Sequence, residues 1–257
     1  MSSIPRVAFP GFESLLACGH STPLPAPISH KLIRVLRMQP GQSFVVFDPK
    51  NAMEAAATLC AIEPATANIA AATQGVKATR DIRLLQGLSK GDKNECILQD
   101  ATELGASCVH FAEMQRSVVR ISNDKRDARR ARWTAIAESA ASQCGRSDVP
   151  RLMGPSTLRD AMSEHQGARV LVLYEGGGAP FGEVLRGALL SPLPILLVVG
   201  PEGGLAAEDL AILDRVGCTY CTLGPYILRT ETVAAAALGT ALVLGQDLAL
   251  APEMLIR

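Results

Sequence analysis

Three glycine-containing segments follow predicted strands and have the residue types of ligand-binding turns. They read LVLYEGGGAP, LVVGPEGG and CTLGPYILRTET, and they begin at residues 171, 197 and 221. In the second segment, Gly200, Gly203 and Gly204 permit positive φ and let a ligand approach backbone amides without interference from a Cβ. Pro201 stiffens that turn. The combination predicts a small-molecule pocket of backbone amides and carbonyls with Leu and Ile walls, which suits an adenine-type ring.

The familiar glycine-rich motifs do not explain these turns. The chain has neither the G-x-x-x-x-G-K-[ST] of a P-loop nor a G-x-G-x-x-G that opens a helix with an acidic residue about twenty positions on. Gly176–Gly178 could cradle a phosphate, but a flexible loop is the simpler interpretation. Cys218 and Cys221 form a single C-x-x-C within a strand-like run, with no second pair to complete a zinc site, so we expect no metal.

Bulk composition indicates an ordinary globular protein. The chain has 257 residues, 48% hydrophobic and 19% charged, and its basic and acidic residues each number 25. Overall charge therefore gives no indication of an acidic partner. The seven cysteines are irregularly spaced, which argues against a disulfide framework and for a reducing cytoplasm. The N-terminus does not resemble a signal peptide, and the longest apolar run is too short to span a bilayer. We expect a cytoplasmic protein with no membrane segment.

The elements that must position the turns fall into two regions. Residues 1–73 contain short strand-like runs punctuated by prolines, with one helical piece, SHKLIRVLR. We expect Ser29 to cap that helix and Leu32, Ile33, Val35 and Leu36 to form its apolar side. Residues 74–257 alternate apolar strands with helices, which predicts an α/β domain around a mostly parallel sheet. Ligands of such sheets bind beyond the carboxyl ends of the strands, where all three turns fall.

Two segments together, VVGPEGGLAAED and LGPYILRTETVAAAALGTAL, closely resemble the C-terminal signature of the RsmE-type methyltransferases of the SPOUT class. The upstream stretches HKLIRVLRMQPGQSFVVFD, LSKGDKNECILQDATELG and SQCGRSDVP fit the same family in the same order. The resemblance implies an enzyme that uses S-adenosylmethionine to methylate N3 of one uridine in 16S ribosomal RNA, and we expect the small ribosomal subunit to be the form in which it meets that RNA. It implies a PUA-like RNA-binding β-barrel over 1–73 and a SPOUT domain with a deep trefoil knot over 74–257. It also implies a homodimer, for which the small side chains of Ala234–Ala237 would permit close helix packing; packing against the chain's own sheet would explain them equally well.

The resemblance assigns the three turns to the cofactor. The expected cofactor contacts are Leu173, Tyr174, Val199, Gly200, Gly203, Gly204, Leu223, Gly224, Ile227, Leu228 and Thr230.

Methyl transfer to N3 of uridine requires alignment, loss of the N3 proton and stabilisation of charge on the uracil oxygens. We expect Arg229 to supply that stabilisation at the start of a helix, unless it pairs with Glu231. Glu202 is a candidate base; alternatively, its carboxylate braces the turn by accepting amide hydrogen bonds. Thr230 and Glu231 fit a helix cap better than a reactive role.

Local charge supplies the argument for RNA that total charge does not. The segment from Arg116 to Arg132 contains seven basic residues and two acidic ones. These cations form either a phosphate-binding strip or a solvated helix face. Gln143 and Arg146 end the long helix, where Gly145 could act simply as a C-cap. The expected RNA contacts are Arg6, His30, Arg34, Arg37, Lys90, Arg116, Gln143 and Arg146. Two other functions stay open: methylation of another RNA atom such as a ribose 2′-hydroxyl, and RNA binding in ribosome assembly without catalysis.

Overall fold

The computed structural model describes residues 4–16 and 21–250, which form two compact units. The first unit comprises Met1–Lys77 with Glu138–Val149, and the second comprises Ala78–Ala137 with Pro150–Arg257. The end of the long helix and the segment after it therefore belong with the N-terminal unit. No local pattern in the sequence indicates this, because it depends on which surface the helix end meets.

The first unit is built on a six-stranded sheet. Its strands pair in the order β1-β3-β4-β5-β2, with β6 also on β4. The β1–β3 pair is parallel and the other pairs are antiparallel. Along β3, Phe44 and Val46 alternate into the core, as expected for a strand with one buried face. Within the described ranges, no pairing joins the edge strands β1 and β2. The elements are β1 (Arg6–Ala8), α1 (Phe12–Leu16), β2 (Thr22–Pro23), α2 (Ala26–Ser29, continuing as a π-helix over His30–Val35), β3 (Ser43–Asp48), β4 (Met53–Ile62), β5 (Ala65–Ile69) and β6 (Thr73–Gln74).

The helical piece of this unit differs from the prediction. It begins at Ala26, so Ser29 lies inside it and its hydroxyl donates to the carbonyl of Ala26 at 3.1 Å. The π-helix brings the amide of Leu36 to the carbonyl of Lys31, five residues back. This wider turn shifts the positions that share a face. Leu32 is buried as predicted, but Val35 and Leu36 are exposed, so the prediction of an apolar side that includes them was wrong.

The second unit has a seven-stranded, fully parallel sheet in the order β11-β13-β10-β12-β7-β8-β9. Every residue of the central strand β12 is buried, as expected for a strand covered on both faces. The prediction of a mixed α/β fold is confirmed. Strand β9 and helix α5 were not predicted, because the sequence RLMGPST carries a Gly-Pro pair rather than an apolar run. The elements are β7 (Ile82–Gly87), α3 (Lys93–Glu103), β8 (Cys108–Glu113), α4 (Asn123–Cys144), β9 (Arg151–Thr157), α5 (Leu158–Glu164), β10 (Arg169–Leu173), β11 (Ala179–Pro180), α6 (Phe181–Leu189), β12 (Ile195–Val199), α7 (Ala207–Arg215), β13 (Thr219–Thr222) and α8 (Thr230–Leu250).

No helix in the described part of the chain is sufficiently long and apolar to cross a membrane. Helix α8 buries Ala234 and Ala237 within its own chain, where it contacts α3, α6, β7 and β12. Ala234 and Ala237 thus pack inside the second unit, whereas Ala235 and Ala236 are half-buried.

A buried histidine pair links β8 to the end of α5. Nδ1 of His110 lies 3.1 Å from Nε2 of His165, and Nε2 of His110 lies 2.8 Å from the hydroxyl of Ser156. Burial, followed by the neighbouring His165, lowers the pKa of His110 to about 4. Burial, followed by the charge of Arg83, lowers the pKa of His165 to about 4. Both imidazoles are therefore neutral in the folded protein at neutral pH.

We expect the free energy of unfolding to fall as the pH drops below about 6.5. The unfolded chain then takes up protons on both imidazoles, whereas the folded chain takes them up only near pH 4. A lone histidine with this shift would lose about 3 kcal/mol of stability by pH 4. Urea unfolding at pH 7 and pH 5 measures the effect, and His165→Gln should reduce it. The exposed His30→Gln serves as control and should leave the wild-type pH dependence in place. An unchanged pH dependence in His165→Gln would contradict the argument.

Candidate active site

The three glycine turns meet because the strands that precede them are neighbours. β13, β10 and β12 lie side by side in the sheet, and in a parallel sheet their carboxyl ends share one edge. The loops beyond them and the start of α8 enclose a cavity of about 530 Å³, within the roughly 300–1,000 Å³ typical of small-molecule sites. The cavity lining contains every residue expected to contact a cofactor, together with Glu202 and Arg229.

The turn after β12 is closed by backbone contacts. The amide of Gly204 donates to the carbonyl of Pro201 at 2.9 Å, and Gly204 has φ +71°, a conformation that favours glycine. The Arg116 guanidinium donates to the carbonyl of Gly203 at 3.0 Å. Arg116, expected to contact RNA, therefore also supports the cavity wall.

Gln86, which sequence reasoning missed, hydrogen-bonds to two residues of the cavity lining, Gly200 and Thr230. It is fully buried near the end of β7. Its Nε2 donates to the hydroxyl of Thr230 at 2.8 Å and to the carbonyl of Gly200 at 3.3 Å. The Thr230 hydroxyl in turn donates to the Gly200 carbonyl at 2.6 Å. The signal that could have found Gln86 is a polar residue inside the apolar strand IRLLQGL, since buried amides need partners.

We expect Gln86→Leu to weaken binding of S-adenosylhomocysteine about 10-fold while the fold persists, because the turn loses a link to β7 of about 1–1.5 kcal/mol. Calorimetric titration measures the affinity, and urea unfolding checks the fold. Gln99→Leu is the matched control, since Gln99 is exposed on α3 and its side-chain amide donates to Glu103 one turn along the same helix. Equal affinities for the two variants would show that Gln86 does not hold the turn.

Glu202 is a carboxylate braced by its surroundings. Its Oε1 accepts from the amide of Lys90 at 3.1 Å and lies 3.6 Å from Nζ of Lys93. Its Oε2 is buried, and among the described residues it has no hydrogen-bond partner. Burial raises the pKa of Glu202, but amide hydrogen bonds and the charge of Lys93 outweigh it, so the pKa lies below its usual value. A carboxylate with a lowered pKa is a weaker base than usual.

Arg229 faces the cavity from the segment just before α8. Its side chain is exposed, and the described residues include no ion-pair partner for it. The alternative partner, Glu231, pairs instead with Lys93 at 3.3 Å. The guanidinium is therefore positioned to meet negative charge on a ligand.

Comparison with known proteins identifies the family. Residues 76–242 match the RNA methyltransferase domain family. The ribosomal RNA small subunit methyltransferase E of Bacillus subtilis is 34% identical over 212 residues, which cover 79% of this chain and 82% of that protein. This chain belongs to the methyltransferase E (RsmE) family.

Solved structures extend the match across almost the whole chain. The RsmE protein of Neisseria gonorrhoeae bound to S-adenosylmethionine has a TM-score of 0.82 and 29% identity, and the match covers 94% of this chain and 98% of that one. A methyltransferase from Legionella pneumophila in complex with S-adenosylmethionine also has a TM-score of 0.82, with 27% identity, 96% of this chain and 98% of that one covered.

In this RsmE member, two of the residues expected to contact RNA are committed to partners within the first unit. Arg6 donates at 2.7 Å to both Glu54 and the hydroxyl of Ser147, and it lies over the ring of Phe47. Arg146 is buried and forms a two-point contact with Asp148 at 2.9 and 2.8 Å. These contacts position the segment after α4 and do not favour direct phosphate contact.

The remaining RNA candidates of this RsmE chain are at the surface. His30, Arg34, Arg37 and Gln143 are exposed in the first unit, and Lys90 is exposed in the second. The basic strip is divided: Arg129 and Arg132 pair with Glu95 at 3.4 and 2.6 Å, whereas Arg120, Lys125 and Arg130 are exposed.

Proposed function

We propose that this chain methylates N3 of a uridine in 16S ribosomal RNA, with S-adenosylmethionine as methyl donor. The observation that carries the proposal is the cavity at the carboxyl edge of the sheet, which is shared by the glycine turns and by the Arg229 guanidinium, for which the described residues include no ion-pair partner. Membership of the RsmE family supports the substrate, and the cofactor-bound structures of Neisseria and Legionella support the cofactor.

The residues of the cavity fit this cofactor. Backbone groups of 199–204 and 222–228 offer donors and acceptors to an adenine edge, and Leu173, Val199 and Leu228 supply apolar walls. Glu202 lines the cavity, and its carboxylate would offer an acceptor to a hydroxyl or amine donor of the cofactor. When bound, the cofactor supplies a methyl group on a positively charged sulfur.

Arg229 and Glu202 have different proposed roles in the reaction. N3 becomes nucleophilic when its proton passes to water at the solvent-exposed mouth of the cavity, and the negative charge left on the base spreads to the two neighbouring uracil oxygens. Arg229 would stabilise that charge. Attack of N3 on the methyl group would break the bond between that methyl group and sulfur, and S-adenosylhomocysteine would leave with the electron pair. We assign Glu202 to bracing the turn, because its lowered pKa suits a fixed carboxylate acceptor better than a base.

The finer architecture is part of the same proposal. We assign an RNA-binding role to the first domain, 1–73, because His30, Arg34 and Arg37 are exposed there. A PUA-like barrel for this domain rests on the family resemblance, since the pairings of the described strands do not close a barrel. We assign a SPOUT domain with a deep trefoil knot to 74–257. The observation that supports this assignment is that the three glycine turns converge at one cavity. A homodimer would use the exposed Leu242 and Val243 of α8 rather than the inward-facing Ala234 and Ala237.

Two measurements test the function. Calorimetric titration with S-adenosylhomocysteine should show equimolar binding. Incubation with unmodified small ribosomal subunits and S-adenosylmethionine, followed by nucleoside mass spectrometry, should place the added methyl on uracil. A methyl on ribose would instead identify a 2′-hydroxyl methyltransferase. Cofactor binding without transfer to any RNA, or no binding at all, would favour a non-catalytic assembly factor.

A further inference from the structure

The chain has few aromatic residues, and one of them is placed unlike the rest. The one Trp, three Tyr and six Phe all lie within residues 4–16 and 21–250. Nine of these side chains are buried or half-buried, whereas Tyr226 is 82% exposed. The other two tyrosines, Tyr174 and Tyr220, pack against each other with ring centroids 5.5 Å apart. Tyr226 is thus the single highly exposed aromatic side chain among the described residues.

Tyr226 lies at the mouth of the candidate active site. It belongs to the loop between β13 and α8, and it lines the same cavity as Glu202, Gly203 and Arg229. A side chain that lines a cavity and is still mostly exposed must be at its rim. Its neighbour Ile227 is 88% exposed, so the rim carries two adjacent apolar side chains beside a cation.

The chemistry of the proposed substrate requires such a surface. N3 of uracil is on the Watson–Crick edge, so a base that is paired or stacked must be extruded before N3 can reach a cavity. Proteins hold extruded bases by stacking them on aromatic side chains. A stacked uracil would present its edge, with N3 and both oxygens, to groups deeper in the cavity such as Arg229.

We propose that Tyr226 is the stacking platform for the extruded target uracil. This inference rests on the proposed function and specifies how the substrate base is held. Stacking uses the ring face, so the phenol hydroxyl is dispensable, and any aromatic side chain at this position would serve.

The test compares Tyr226→Ala, Tyr226→Phe and Tyr226→Trp with the wild type on unmodified small ribosomal subunits. We expect Tyr226→Ala to lower kcat/KM about 10-fold or more, in line with alanine substitution at stacked bases. Tyr226→Phe and Tyr226→Trp should retain most of the activity. Affinity for S-adenosylhomocysteine should stay within about 2-fold in all three variants, since the cofactor contacts are backbone groups and apolar walls. Leu193→Ala, an exposed residue between α6 and β12, is the control for loss of surface apolar area.

Each outcome decides the proposal. Full activity of Tyr226→Ala would overturn it, as would equal losses in Tyr226→Ala and Tyr226→Phe, which would point to the hydroxyl. A loss that follows cofactor affinity, or a change of oligomeric state by light scattering, would assign the ring to the cofactor or to a second copy of the chain. If the wild type itself transfers no methyl to uracil, the proposed function fails first and independently of Tyr226.

Discussion

Arg229→Ala is expected to lower the rate of methyl transfer by about 10²–10³-fold, the range seen when one donor to a developing oxyanion is removed. The guanidinium lines the cavity and has no ion-pair partner among the residues that the structure describes. It is therefore available to charge on the uracil oxygens. Single-turnover kinetics on small ribosomal subunits, with saturating S-adenosylmethionine, measure the effect.

The accompanying variants separate an electrostatic role from a structural one. Affinity for S-adenosylhomocysteine should change less than about 2-fold in Arg229→Ala, because the expected charge arises on the RNA base and not on the cofactor. Arg229→Lys should recover only part of the rate, since an ammonium cannot present two parallel donors. Arg215→Ala removes an exposed cation from the end of α7 and should be neutral. A rate loss in Arg229→Ala of the same size as in Arg215→Ala would remove Arg229 from the reaction.

Gly203→Val is expected to abolish measurable binding of S-adenosylhomocysteine, a loss of about 100-fold or more. A Cβ at this position would lie 2.9 Å from Cβ of Arg116 and 3.2 Å from its carbonyl oxygen. Relief of that clash must move the turn or the Arg116 segment. Since the turn forms one wall of the cavity, and interiors transmit small displacements, the backbone groups that would hold the cofactor move with it.

Gly187→Val is the matched control for Gly203→Val. An added Cβ at Gly187 meets no atom within 4 Å, and the residue is exposed on helix α6. Both variants should keep the cooperative unfolding of the first unit, so circular dichroism and urea unfolding distinguish a local effect from misfolding. Normal cofactor affinity in a folded Gly203→Val protein would show that the pocket is assigned to the wrong turn.

Much of the site was accessible from the sequence because its signals are local. Glycine permits backbone conformations that other residues rarely adopt and proline fixes its own φ, and uninterrupted apolar runs separated by helical periodicity indicate a buried parallel sheet. The carboxyl-end rule then placed the turns at one edge of that sheet. The cavity indeed gathers all of the residues expected to contact the cofactor, together with Arg229 and Glu202. Which of these residues perform which chemical step remains a prediction.

Partner choice was not accessible, because it depends on residues that are distant along the chain. The hydrogen bond from Gln86 to Thr230 joins positions 144 residues apart, and Glu231 pairs with Lys93 rather than with Arg229. Arg6 and Arg146, which look like phosphate contacts in sequence, point to Glu54 and Asp148. A charge run shows that cations are present, but only three-dimensional proximity decides which of them are already neutralised.

The sequence by itself thus determined the α/β class, the family resemblance and the glycine turns, since each is encoded in a short window of residues. The tertiary structure alone decided that a buried glutamine, Gln86, bonds to Thr230 and Gly200 of the cavity lining, that the π-helix exposes Val35 and Leu36, and that Tyr226 stands at the cavity mouth. The physical reason is the same in each case. Burial and pairing are properties of packed surfaces, and the packing brings together segments that no local pattern relates.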